Sequence, residues 1–166
     1  MKNFNFFIGS LISLLCTFSC KESNLGKEKF INNILGQMTL DEKVGQMTQV
    51  DKRMLDKEED ISTYFLGSIL SGGGAVPKKN TPKGWVEMAN NFQRHALSTR
   101  LKIPLIYGID AVHGHNNVVG ATTFPHNIGL GCTNDPTIIK QVNYATAVEV
   151  AATGLNWTFS PCITIP

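Results

Sequence analysis

Residues Ile103 to Val112 form an apolar run that breaks into a polar cluster at its far end, and few folds can house such a segment. It is too short to span a membrane and apolar on successive residues, so both of its faces need cover. A strand buried on both faces belongs in a parallel sheet with helices packed against it. The flanking segments agree. Leu66-Gly67-Ser68-Ile69-Leu70 is a second, shorter strand candidate, ended by Ser71-Gly72-Gly73-Gly74. Between the two, Thr81-Pro82 opens a helix whose Trp85, Met88, Ala89, Phe92, His95 and Ala96 share one face. Beyond the long run, Asn134-Asp135-Pro136 starts another helix, with Ile138, Val142, Ala145 and Val148 as its expected inner face and Gly154 as its stop. Trp157 to Ile165 reads as a third strand. Strands alternating with helices predict βαβ crossovers and an α/β fold. Periodicity alone leaves two architectures open, the start of a (β/α) barrel or a doubly wound sheet.

Two short helices are expected ahead of this body. Phe30, Ile31, Ile34, Leu35 and Met38 recur at helical spacing, and Thr39-Leu40-Asp41-Glu42 reads as a capping box. Residues 1–20 read as a leader. Lys2 precedes the apolar run Phe6 to Leu15, which has the length of a signal-peptide core. Ser19-Cys20 and the polar stretch after it resemble a bacterial lipoprotein signal, in which Cys20 becomes the lipid-bearing N-terminus. Plain secretion with cleavage nearby is the alternative. The expected location is therefore the periplasm, the outer membrane through lipid on Cys20, or the medium. Residues 21–29 read as a linker and 30–166 as the folded part.

Charge narrows the partners. Fifteen Lys and Arg against 13 Asp and Glu give a net charge of +2, and no cationic cluster exceeds the pair Lys78-Lys79. A nucleic-acid partner needs a basic stripe that is not there. Of the four cysteines, Cys16 and Cys20 fall in the leader; Cys132 and Cys162 read as small buried hydrophobes.

In parallel α/β folds, side chains that do chemistry stand where strands exit the sheet. Asp110 arrives at that point of the long run, after Leu105-Ile106-Tyr107-Gly108-Ile109. A carboxylate there is costly unless it is paired or binds something. It could accept hydroxyl groups of a ligand, act as acid or base, or cap the next loop. His113 and His115, one residue apart, could ligate a metal, but no third ligand lies at metal-site spacing; a hydrogen-bonded polar loop is the favoured reading, and His126 reads the same way, a metal-binding protein using all three being a further alternative. The Ser71 to Gly74 stretch is not a phosphate loop, because no Gly-Lys-Ser/Thr follows at the required spacing. No Gly-x-Ser-x-Gly nucleophile motif occurs, and no second strand-end carboxylate near Asp110 is identifiable.

The blocks Tyr107 to Val118 and Gly120 to Gly131 resemble the β-glucosidase and exo-β-glucanase branch of glycoside hydrolase family 3. So do Met38 to Met47, Gly67 to Gly74, Ala145 to Glu149, Gly154 and Phe159 to Cys162. Ala111-Val112-His113-Gly114 after Ile109-Asp110 favours that branch over the N-acetylglucosaminidase one. The resemblance implies the N-terminal part of a TIM-type (β/α)8 barrel, here about three β/α units and three strands. It implies hydrolysis of terminal β-linked glucose from β-glucosides or β-glucan oligosaccharides, by double displacement with retention and without a cofactor or metal. It carries Asp110 over as a sugar-binding carboxylate. The nucleophile Asp and the acid/base Glu are expected outside these residues, so the chain alone is expected to be inactive. The alternative is a surface lipoprotein in which Asp110 and the His-Asn loop bind sugar without cutting it.

Overall fold

A computed structural model describes residues 25–163, so the leader and Cys20 lie outside the described residues. The chain divides into two compact units, one up to Thr39 and one from Leu40 onward. In the first, residues 25–37 form helix α1, which takes in the end of the stretch read as a linker.

The second unit runs α2 (Leu40–Gln46), β1 (Gln49–Asp51), a 3₁₀ turn (Lys52–Met54), α3 (Asp60–Thr63), β2 (Ser68–Ser71), α4 (Pro82–Leu97), β3 (Ile106–Ile109), α5 (Asn127–Gly131), α6 (Pro136–Ala152) and β4 (Trp157–Thr158). All strand pairs are parallel: Val50 lies opposite Ile69, Leu70 opposite Gly108, and Gly108 opposite Trp157. Spatial order equals chain order, β1-β2-β3-β4. A doubly wound sheet reverses its strand order at a switch point; a barrel adds each strand beside the last. The architecture is therefore that of an incomplete α/β barrel with three crossovers.

Two strand expectations change. A fourth strand, β1, precedes the three read from sequence. The last strand is confined to Trp157–Thr158 within the described residues, because the chain leaves the ladder ahead of Pro161, which has no N–H to donate.

Helix α4 forms for reasons visible in its sequence. Thr81 caps it by accepting the Gly84 N–H at 3.1 Å, and Pro82 occupies the first turn. Its apolar face, Trp85, Met88, Ala89, Phe92 and Ala96, is buried with Ile69, Tyr107 and Ile109 of the sheet. The Phe92 and Tyr107 rings meet at 5.5 Å. Each large side chain so buried contributes roughly 1.5–3 kcal/mol.

Helix α6 is capped by Asp135, which accepts from the Thr137 and Ile138 N–H groups. Its inward face differs from the expected one. Thr146 and Val150 are buried with Ile139, Val142 and Asn143 half-buried, whereas Ile138 and Val148 are exposed. Thr146 turns inward at little polar cost because its hydroxyl donates to the Val142 carbonyl at 2.9 Å.

Glu42, read as part of a capping box, is buried and holds Arg100 through Nη2–Oε2 at 2.7 Å and Nε–Oε1 at 3.2 Å. That forked pair ties α2 to the turn after α4. Cys132 and Cys162 are both exposed, against the expectation of burial: one follows α5 on the surface, the other follows β4. Among the described residues, no helix is long and apolar enough to cross a membrane.

Candidate functional site

Because the strands are parallel, their C-terminal ends share one edge of the sheet. That edge carries Asp51 from β1, Ser71 and the glycines after β2, and Asp110 from the exit of β3. Asp51 is the strand-end carboxylate that sequence reading missed. Arg53 forks onto it, with Nη2–Oδ2 at 2.7 Å and Nε–Oδ1 at 3.0 Å. Arg53 also reaches the Gly73 carbonyl at 3.4 Å. The hydrogen bond from the Arg53 side chain holds the Asp51 carboxyl below its usual range. A carboxylate neutralised in this way is a poor proton donor.

Asp110 differs. It is exposed, and its carboxylate has no hydrogen-bond or ion-pair partner among the described residues. Its backbone is held on both sides. The Asp110 N–H donates to the Ser71 carbonyl at 3.1 Å, and its own carbonyl accepts from Asn117 Nδ2 at 2.7 Å. Gly72 permits the approach, since a Cβ there would stand 2.9 Å from the Asp110 Cβ. Beneath, the Tyr107 hydroxyl meets Ser71 Oγ at 2.8 Å. Burial pushes Tyr107 up to about 12, so it stays neutral.

The loop after Asp110 is a connected polar structure. His113 bonds the Phe124 carbonyl through Nδ1 at 2.9 Å, and its ring lies 4.2 Å from that of His126. The Phe124 N–H returns to the His113 carbonyl at 2.8 Å. Gly114 pairs with Thr123. Glu149 of α6 takes the Thr122 N–H and hydroxyl, and Asn127 reaches back to the Val112 carbonyl at 3.0 Å.

His115 is fully buried beside Trp85, with Nε2 at 2.8 Å from Thr153 Oγ1. The Thr153 hydroxyl also lies 2.7 Å from the Val150 carbonyl, which can only accept. The threonine therefore donates to that carbonyl and accepts from His115, making Nε2 the protonated nitrogen. Nδ1 is buried with no partner among the described residues, and burial lowers the pKa of the ring. Among the described residues, no three His, Cys, Asp or Glu side chains gather as a metal site would need.

An apolar concavity of about 670 Å³ lies beside α2 and α3, lined by Leu40, Val44, Val50, Tyr64 and Phe65 among others, away from Asp110. At the sheet edge, Asp110 thus presents a carboxylate without a partner among the described residues, on a backbone held by Ser71 and Asn117. Among the described residues, that edge holds no pair of unpaired carboxylates flanking one point, as glycoside hydrolysis requires.

Residues 39–166 match the model of the glycosyl hydrolase family 3 N-terminal domain. The chain is 35% identical over 157 residues to a lysosomal beta glucosidase of Dictyostelium discoideum, covering 84% of this chain and 19% of that protein. It is 31% identical over 141 residues to a periplasmic beta-glucosidase of Salmonella typhimurium, covering 84% of this chain and 17% of that one. The chain thus spans less than a fifth of the length of these relatives. Among solved structures, the exo-1,3/1,4-beta-glucanase of a Pseudoalteromonas species superposes with a TM-score of 0.75 at 42% identity, covering 81% of this chain and 17% of that chain.

Proposed function

Because the chain belongs to glycosyl hydrolase family 3, we propose that it forms the sugar-gripping beginning of a barrel that removes terminal β-linked glucose from β-glucosides or β-glucan oligosaccharides. One observation carries this reading: Asp110 leaves β3 with both backbone polar groups tied down and its carboxylate unspent. A carboxylate accepting two vicinal sugar hydroxyls makes short, charge-assisted bonds that fix the ring in position and orientation. Those bonds strengthen as the ring flattens toward an oxocarbenium-like transition state, so part of their energy is available to the reaction.

The reaction proposed is double displacement with retention. One carboxylate attacks the anomeric carbon as the leaving oxygen takes a proton from a second carboxyl group. Water then displaces the enzyme, with that second group now removing a proton. Neither role falls to Asp51, whose charge is taken up by Arg53. The nucleophile and the acid/base come from other parts of the full-length enzyme, and residues 1–166 alone do not turn over substrate.

Export belongs to the same proposal, with residues 1–20 as a signal and lipid on Cys20. The periplasmic relative supports a destination across the inner membrane. Mass spectrometry of the mature N-terminus tests the anchor; a free amino group beyond residue 20 refutes it.

The test of the sugar site is Asp110→Ala in the full-length enzyme, assayed on an aryl β-glucoside. Loss of two hydrogen bonds to a charged group, at about 1.5–3 kcal/mol each, lowers kcat/KM by about 10² to 10⁴. The melting temperature is expected to stay where it was, since the carboxylate bonds nothing among the described residues. A variant within twofold of the parent overturns the assignment.

A further inference from the structure

Resting on the reading of Asp110 as the sugar-gripping carboxylate, we propose that Asn117 is its positioning residue, held in turn by Asn80 and Trp85. Three hydrogen bonds join the four residues. The Trp85 indole N–H donates to Asn80 Oδ1 at 2.8 Å, Asn80 Nδ2 donates to the Asn117 carbonyl at 2.9 Å, and Asn117 Nδ2 donates to the Asp110 carbonyl at 2.7 Å. The Val119 N–H adds a fourth bond, to Asn80 Oδ1 at 3.4 Å.

The orientation of both amides follows from chemistry. An indole N–H only donates, so it faces the oxygen of Asn80; a carbonyl only accepts, so it faces the nitrogen of Asn117. The relay starts from a rigid point, because Trp85 is fully buried in the α4 face. It crosses from the segment before α4 to the loop after β3, 37 positions apart in sequence. It ends on a single peptide group.

That peptide group is where a clamp acts on the site. The Asp110 N–H is taken by β2, and the ladder to the β4 side is completed by the Phe159 N–H on the Ile109 carbonyl at 3.3 Å. The Asp110 carbonyl is the first after β3 to leave the sheet, and its bond is to Asn117. With that bond in place, the Asp110–Ala111 peptide plane is fixed. With the N–H side also fixed, the Cα–Cβ direction is set and only the two side-chain torsions remain. Without it, Asp110 is no longer held from its C-terminal side, and rotation about φ can swing the carboxylate origin. Small misplacements of a group that orients substrate cost rate disproportionately, because the geometry of attack is lost with the position.

A role confined to folding predicts something different from a positioning role, and Asn117→Asp separates them. The substitution keeps shape but sets a carboxylate oxygen against the Asp110 carbonyl. On an aryl β-glucoside the full-length N117D enzyme is expected to lose about ten- to hundredfold in kcat/KM at neutral pH, seen in KM as well as kcat. Acidification protonates the new carboxyl, restores a donor, and shrinks the deficit relative to the parent at the same pH. Asn117→Ala lacks a titrating group and keeps its deficit at every pH. Trp85→Phe, which frees Asn80 without touching Asn117, gives a smaller loss of the same kind.

If N117D and N117A lower the melting temperature yet keep parental kcat/KM and pH profile, the inference is overturned and Asn117 is a fold residue. D110A run alongside separates the two readings. A crippled D110A beside an unaffected N117D sinks the positioning role alone; an unaffected D110A sinks the sugar site on which it rests.

Discussion

Two glycines in the loop after Asp110 share a positive φ but not an environment, and that difference can be measured. Gly114 has φ +96° and Gly120 has φ +92°. Both angles are strained for a residue with a Cβ. At Gly120 nothing lies within 4 Å of an added Cβ, whereas at Gly114 it would stand 2.1 Å from the Thr122 carbonyl oxygen. Gly120→Ala therefore costs only conformational strain, about 1–2 kcal/mol, partly offset by a stiffer unfolded chain. Gly114→Ala adds a displacement of roughly 1.2 Å to reach a tolerable C···O separation of about 3.3 Å. The Thr122 peptide cannot yield freely, since Glu149 holds its N–H and Thr123 pairs with Gly114. Losing the Phe124–His113 bond, on which that pairing rests, costs about 1 kcal/mol beyond the Gly120 variant. Hydrogen exchange of the full-length enzyme reads this locally. The Phe124 amide should exchange about fivefold faster in Gly114→Ala than in Gly120→Ala, the ratio for that energy difference. Equal exchange in the two variants would refute the packing of residues 113–124 described here.

Three further outcomes are expected. Tyr107→Phe strips Ser71 Oγ, fully buried, of its hydroxyl partner; it destabilises by about 1–3 kcal/mol, and adding Ser71→Ala recovers part of the loss in a double-mutant cycle of thermal unfolding. His115 has a folded-state pKa below its unfolded value of 6.5, so its neutral form stabilises the fold above that pH. As pH falls below 6.5 the unfolded chain takes up the proton first and stability declines; His115→Gln should flatten that part of the pH–stability curve, and an unchanged slope would assign it to other groups. Arg53→Met should return the Asp51 carboxyl toward its ordinary range, read by NMR titration of the side chain; an unchanged titration would mean that the forked contact is not formed in solution.

What the sequence made legible follows from where each signal resides. Helix α4 carries its own cap, its first-turn proline and a complete apolar stripe, so its face was readable from one segment. Helix α6 carries apolar residues around much of its circumference, and only the position of the sheet decides that Ile139 and Val142 turn inward while Ile138 and Val148 do not. Strand β1 has three residues, Gln49-Val50-Asp51, with no alternation to detect; it is extended because Ser68, Ile69 and Leu70 offer it a ladder. Asp51 was missed for the same reason, since a strand-end residue cannot be recognised before its strand. Asp110 was legible because β3 announces itself as an apolar run with one carboxylate at its exit. Asn80 was not: it follows Lys78-Lys79 in a stretch that reads as ordinary surface, and its partners come from two later segments.

These failures share a cause that bears on the site itself. Residues with a local signal here build the scaffold, and the residues that hold Asp110 act across the chain: Ser71 from β2, Asn117 from the loop, Gly72 by having no side chain. None of them touches the carboxylate. The fold thus satisfies the polar groups that mount Asp110 and leaves the one that faces outward. A carboxylate whose backbone is held in this way has only its two side-chain torsions left to order when a ligand arrives. Had Arg53 reached Asp110 as it reaches Asp51, a sugar hydroxyl would first have to break an ion pair. The proposed roles of the two strand-end carboxylates rest on that contrast: Asp51 is paired with Arg53, and the Asp110 carboxylate has no partner among the described residues.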